Sequence, residues 1–254
     1  MAFAVSGEPY DRLMGRYSRE LAPRLIDFAG LGSGTRTLDV GCGPGALTVA
    51  LADRVGAARV AAADPSEPLL AACAARVPGA DVRLAPAEKL PWPDESFEAV
   101  HSQLVLNFVS DADAAVAEMR RVVVPGGILA SCTWDYAGGM RMLRTFWDAA
   151  RELDPKAPDE LHMRYRSEEE LATLWSRAGL DEVGTAPLEV EIAYDGFDDY
   201  WEPFTLGVGP AGEYCASLEP EQREALRDGC FRRLGSPEGP FSLTARAFGV
   251  RGIR

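Results

Sequence analysis

The chain has 254 residues, 47% of them hydrophobic, and its 39 acidic against 26 basic side chains leave a formal net charge of -13. That length supports one substantial core, and the acid excess repels phosphate backbones, so nucleic acid is not an expected partner. No apolar run approaches the roughly 20 uncharged residues a membrane helix needs, and the opening MAFAVSGEPYDR lacks a basic start leading into an apolar stretch. A soluble, unprocessed, cytoplasmic protein with no membrane partner is expected.

The pattern begins with Arg19–Phe28, an amphipathic helix with Leu21, Leu25 and Phe28 on one face and Ser18 as its N-cap. From Thr35 to Trp134, short β-branched runs alternate with stretches of helical spacing, the signature of βαβ units and a parallel sheet. The strands fall at Arg36–Val40, Arg59–Ala63, Asp81–Ala85, Ala99–Ser102 and Gly127–Thr133. Helices are expected between them at Ala46–Val55, Glu67–Arg76 and Asp113–Val123, the last stopped by Pro125-Gly126-Gly127. Further on, Met140–Leu153 and Glu168–Ala178 read as helices, the second with a capping box from Ser167 and Glu170. Leu180–Val190 and Leu243–Val250 read as strands. Between them lies an aromatic, acidic segment, Tyr194–Glu238, with a helix over Pro220–Leu234.

The sharpest local signal is Leu38-Asp39-Val40-Gly41-Cys42-Gly43-Pro44-Gly45, a strand entering a glycine-rich turn that opens the helix at Ala46. Glycines there let a ligand lie directly against the main chain. No lysine follows, which argues against a phosphate-binding P-loop. The G-x-G-x-G spacing also differs from the dinucleotide G-x-G-x-x-G. Asp39 would oppose a pyrophosphate but suits a ligand carrying an ammonium group. About 20 residues beyond the loop, Asp64 ends the next strand, where a carboxylate can accept both hydroxyls of a ribose. That feature is common to nicotinamide and S-adenosylmethionine sites.

The runs LDVGCGPGALT, AADPSEPLL, APAEKLPWPDESFEAVHSQLVLNFV and EMRRVVVPGGILASCTW resemble, in order, the motif series of class I S-adenosylmethionine-dependent methyltransferases. They resemble the ubiquinone/menaquinone-biosynthesis-like (methyltransferase type 11) group. The resemblance covers roughly residues 35 to 134. It implies an α/β fold, a doubly wound, mostly parallel, seven-stranded Rossmann-like sheet with an α-rich lid, and S-adenosyl-L-methionine as cofactor. Its expected organisation is an N-terminal helical cap over 1–34 and a methyltransferase domain over 35–254, with lid insertions near 135–166 and 191–239. By the same resemblance Asp39, Gly41, Cys42, Gly43 and Gly45 line the methionine part of the cofactor. Asp64 binds the ribose with Pro65 and Ser66 beside it, Ala87 and Glu88 sit at the adenine edge, and Gln103 lies near the sulfonium. The family commonly has an acidic residue where this chain has Pro86, which removes a side-chain contact to the adenine amino group. The segment Tyr10–Tyr17 resembles one that closes over the cofactor, with Arg16 available to its carboxylate and Tyr17 beside it.

Simple methyl transfer needs alignment more than a dedicated base. If a base is used, Asp135, His162 and Glu202 are the candidates. His101, inside the fourth strand, is expected to be a buried, hydrogen-bonded histidine. Asn107, Trp134, Trp201 and Phe204 are the candidates for lining the acceptor pocket, because ligands in open α/β sheets bind beyond the carboxyl ends of the strands. With two histidines and five scattered cysteines, Cys42, Cys73, Cys132, Cys215 and Cys230, no metal site is expected and the thiols suit a reducing compartment. The expected activity is methyl transfer to an N, O or C nucleophile of a small molecule by a monomer or homodimer. The rival readings are a non-catalytic cofactor-binding scaffold and a nicotinamide-dependent oxidoreductase.

Overall fold

A computed structural model describes residues 11–254. Tyr10, the start of the expected N-terminal cap and the segment read for a leader therefore lie outside the described residues. In chain order the elements are α1 (Arg16–Ala29), β1 (Thr37–Val40), α2 (Ala46–Val55), β2 (Val60–Asp64), α3 (Glu67–Arg76), β3 (Asp81–Leu84) and β4 (Phe97–Gln103). They continue with α4 (Ala112–Val122), β5 (Val123–Trp134), α5 (Arg141–Leu153), α6 (Glu168–Arg177), β6 (Asp181–Tyr194), α7 (Phe197–Trp201), α8 (Gly209–Ser217), α9 (Pro220–Arg233) and β7 (Phe241–Ile253).

The seven strands form one sheet in the order β3-β2-β1-β4-β5-β7-β6. β1 to β5 pair in parallel, with Thr37 opposite both Val60 and Ala99, and β7 runs antiparallel between β5 and β6. Every residue of β1 and β2 is buried, as expected of strands covered on both faces. α1 and α2 cover one face, where Tyr17, Leu21, Leu25 and Leu51 join an aromatic cluster from α5, α7 and the turn after it. α4 and α6 cover the other with Val116, Met119, Leu171 and Trp175. In this winding Val40, Asp64, Gln103 and Trp134 all end strands at one edge of the sheet.

Three local expectations are corrected. Ser18 does not cap α1; it is buried one turn inside, donating to the Met14 carbonyl at 3.1 Å, because the apolar spacing continues upstream through Tyr17 and Leu13. β5 begins at Val123, not Gly127. Its pairing with β4 jumps from Phe97↔Val123 to Ala99↔Ile128, so Pro125-Gly126-Gly127 is a bulge within the strand. β6 and β7 also run past their expected ends, with buried Leu188, Val190, Ile192 and Tyr194 alternating with exposed residues.

The bulge supplies a stability test. A Cβ at Gly127 would stand 2.8 Å from the Glu98 carbonyl oxygen and 2.9 Å from that of Val124. Gly127→Ala should therefore lower the urea midpoint by the equivalent of about 1–3 kcal/mol, with the m-value unchanged.

Candidate functional site

The glycine turn is fastened to its neighbour strand before any ligand is considered. Gly41 and Cys42 both donate their N–H groups to the Ala63 carbonyl, at 2.8 and 3.0 Å. Gly43 N–H donates to Asp64 Oδ2 at 2.9 Å, and Ser66 N–H donates to Asp64 Oδ1 at 2.8 Å. One carboxylate thus ties the turn after β1 to the turn after β2. Burial pushes the Asp64 carboxyl up, and the two backbone donors oppose that shift.

Glycine is required at Gly41, where φ is +75° and a Cβ would overlap the Val105 side chain. At Gly43, with φ +52°, a Cβ would meet nothing within 4 Å. That open face borders a cavity of about 360 Å³.

Of the residues named from the sequence, Gly41, Gly43, Asp64, Pro65, Ser66, Ala87, Glu88, Gln103 and Trp134 line the cavity. Asp39, Cys42 and Gly45 do not; they stand behind the turn and hold it. Asp39 Oδ2 accepts the Thr48 hydroxyl at 2.6 Å, and Cys73 Sγ donates to the same hydroxyl oxygen at 3.4 Å. Burial drives the Asp39 carboxyl up to about 7, the Thr48 hydrogen bond pulling the other way. Asp39 Oδ1, Gln103 Oε1 and Asn107 Oδ1 are buried acceptors that no protein donor reaches among the described residues. Of the three, Gln103 borders the cavity, where a ligand bringing an ammonium or hydroxyl donor would meet its Oε1.

Several expected site residues are elsewhere. Arg16 is engaged by Asp199, its Nη2 2.6 Å from Oδ1, and lies over the Tyr194 ring. It holds the Asp199 carboxyl below the usual range. Tyr17 is fully buried, its hydroxyl 2.7 Å from that of Tyr194. From the segment expected to close over the cofactor, Leu13 and Met14 border the cavity instead. Glu88 stays on the cavity wall but is engaged by the loop before α4, taking the Ser110 hydroxyl at 2.8 Å. Asn107 donates to the Tyr136 hydroxyl at 3.0 Å without itself bordering the cavity.

Trp201 and Phe204 belong to the aromatic core, Phe204 stacking on Phe146 with centroids 4.5 Å apart. They are absent from the cavity wall because their rings pack on Phe146 of α5. Asp135 closes its own turn and is paired with Arg246. His162 is exposed, and Glu202, its side chain 60% exposed, pairs with Arg12. None of the three proposed bases borders the cavity. His101 is buried as expected, its Nδ1 3.0 Å from the Thr37 hydroxyl, with burial lowering it to about 4.

Sequence reasoning missed Glu160, Tyr136, Leu143 and the start of α8, Gly209 to Ala211, all of which border the cavity. Glu160 lies in an irregular stretch between α5 and α6 that carries no periodicity to mark it. Burial pushes its carboxyl up, while the indole N–H of Trp147, donated to Oε2 at 2.7 Å, opposes the shift.

A sheet with this order, a glycine turn at the end of β1 and an acidic residue at the end of β2 together define a class I methyltransferase. The sequence profile of a family described as "Methyltransferase domain" matches residues 38–131. A malonyl-[acyl-carrier protein] O-methyltransferase of Pseudescherichia vulneris is 30% identical over 195 residues, 76% of this chain and 72% of that protein. A trans-aconitate 2-methyltransferase of Variovorax paradoxus is 31% identical over 109 residues, 43% of this chain and 42% of that one. Among solved structures, a putative type II methyltransferase from Anaeromyxobacter dehalogenans aligns with a TM-score of 0.65 at 25% identity, covering 92% of this chain and 95% of its own. The chain belongs to the class I S-adenosylmethionine-dependent methyltransferases. It spans about half the length of several of the curated relatives it matches.

Proposed function

We propose that this chain transfers a methyl group from S-adenosylmethionine to a nucleophilic N, O or C atom of a small molecule held in the same cavity. The observation that carries the reading is the open face over Gly43 beside the pinned Asp64, continuous with an apolar, aromatic end at Trp134 and Tyr136. In this reading Asp64 receives the ribose hydroxyls and Gly41 and Gly43 admit the methionine portion. Pro86 and Ala87 flank the base, and Gln103 Oε1 faces the positive end, with the Asp39 carboxyl behind the glycine turn acting on it through space. When bound, the cofactor supplies an electrophilic methyl group on sulfonium, so the protein's work is alignment and exclusion of water, worth roughly 7–11 kcal/mol in favourable cases.

The segments 135–166 and 191–239 serve as lid and 11–34 as part of the cap. Supporting this, α5 and α8 contribute Leu143 and Ala211 to the cavity wall. Two relatives are named for malonyl-[acyl-carrier protein] and trans-aconitate, but no cationic side chain borders the cavity among the described residues, which argues for a different acceptor. A cytoplasmic monomer or homodimer fits five buried, unpaired cysteines, and no helix among the described residues is long and apolar enough to cross a membrane.

Calorimetric titration tests the cofactor assignment. S-adenosylmethionine should bind the purified protein and NAD should not, and Asp64→Ala should weaken binding by at least ~10-fold through loss of charge-assisted hydrogen bonds. Preference for NAD would overturn it. Incubation with a labelled methyl donor and a metabolite extract tests the transfer itself; persistent absence of labelled product despite tight binding would favour a non-catalytic scaffold.

A further inference from the structure

The cavity continues from its glycine end to a largely aromatic and aliphatic pocket in which, among the described residues, Glu160 is the charged group. Glu160 is 7% exposed, and its Oε2 is committed to the Trp147 indole N–H. Oε1 is the carboxylate oxygen left for a ligand on the cavity side. The two arginines on the neighbouring turns of α5, Arg144 and Arg151, are drawn to Asp159 instead. Around Glu160 stand Trp134, Tyr136, Leu143, Val208 and Pro210.

Among the described residues, the charged side chains bordering the cavity are Asp64, Glu88 and Glu160, all acidic. With Asp64 and Glu88 hydrogen-bonded at the other end, Glu160 is the acid placed among the apolar wall residues.

We infer that Glu160 selects the methyl acceptor, and that the acceptor is a largely apolar molecule, uncharged or cationic, presenting an N–H or O–H group to Oε1. This inference rests on the methyl-transfer reading above and adds the acceptor class to it.

The physical case has two sides. An anionic acceptor entering this pocket would lose its hydration and meet carboxylates with no compensating cation, which is costly at low dielectric. A donor group repays the desolvation of Glu160 by filling its vacant lone pairs, and the indole and phenol beside it favour a cation over an anion. Burial raises the Glu160 carboxyl; Trp147 and Arg144 restrain that shift and Asp159 adds to it. The carboxylate is thereby a stronger acceptor toward a bound N–H than a solvated one would be.

The test uses a panel of alkyl and arylalkyl amines, alcohols and carboxylates matched in length, such as phenethylamine, 2-phenylethanol and 3-phenylpropionate. Each is titrated into the full chain saturated with S-adenosylhomocysteine. The best amine or alcohol should bind at least ~10-fold more tightly than its matched carboxylate, and Glu160→Gln should erase at least ~10-fold of that preference. The same variant, which keeps an acceptor for Trp147, should leave S-adenosylhomocysteine affinity unchanged. Carboxylates binding as tightly as amines and alcohols, an unchanged preference in Glu160→Gln, or no binding anywhere in the panel would each overturn the inference. Failure of S-adenosylhomocysteine itself to bind would instead sink the cofactor reading.

Discussion

Gly43→Asn is expected to give a folded protein that no longer retains S-adenosylmethionine. The φ of +52° is one that asparagine adopts at little cost, and the new side chain would enter space where nothing lies within 4 Å. The N–H of residue 43 would still reach Asp64, so the two turns stay tied. The thermal midpoint should fall by no more than about 2–4 °C, the equivalent of roughly 1 kcal/mol for a chain of this size. Affinity measured by calorimetry should fall by more than ~100-fold, because the variant fills the place where the methionine portion would lie against the backbone. Gly41→Ala should behave in the opposite way, losing stability first, since its Cβ would overlap Val105. A Gly43→Asn protein that binds the cofactor like wild type would show that the open face is not the binding surface.

Asp39→Asn should separate stability from affinity. In the ligand-free fold the Asp39 carboxyl is raised to about 7, against about 4 for an unfolded aspartate. Between those pH values the folded state holds the extra proton, so stability falls as pH rises from about 4 to about 7 and is level above. The asparagine carries no such charge. At pH 8 the ligand-free variant should melt above wild type and show no slope from this group.

Binding a cation reverses the preference. Wild-type affinity for S-adenosylmethionine should climb as pH passes upward through about 7, while the variant's affinity should be at least ~10-fold lower at pH 8 and flat with pH. A variant that is less stable than wild type at pH 8, or that binds equally well, would refute this account of the buried carboxylate.

The parts of the molecule legible in the sequence are those governed by short-range rules. α2 and α3 lie at the residues where helical spacing and the glycine turn place them. The turn after β1 and Asp64 after β2 could be located because a strand, three glycines and an acid at the next strand end leave few alternatives. What was not legible is settled by partners far away in the chain. Arg16 has a free guanidinium in sequence, and only the fold brings Asp199 to it across 183 positions. Trp201 and Phe204 have the composition of a binding wall, yet Phe146 and Tyr200 claim their faces. Glu160 gave no signal, since a carboxylate in an irregular stretch becomes notable only once Trp147 and the cavity surround it.

The position of β7 has a consequence for how the molecule is made. β5 and β6 never pair with each other; each waits for a strand that follows β6 by the whole of α7, α8 and α9. During synthesis the inner edges of both therefore stand bare, with β6 presenting alternate apolar side chains, until Phe241–Ile253 slots between them. Exposed edges of this kind recruit other chains. The interval between emergence of β6 and insertion of β7 is thus the stage at which a chaperone has most to protect, and at which loss of the last strand would leave two open edges free to recruit other chains.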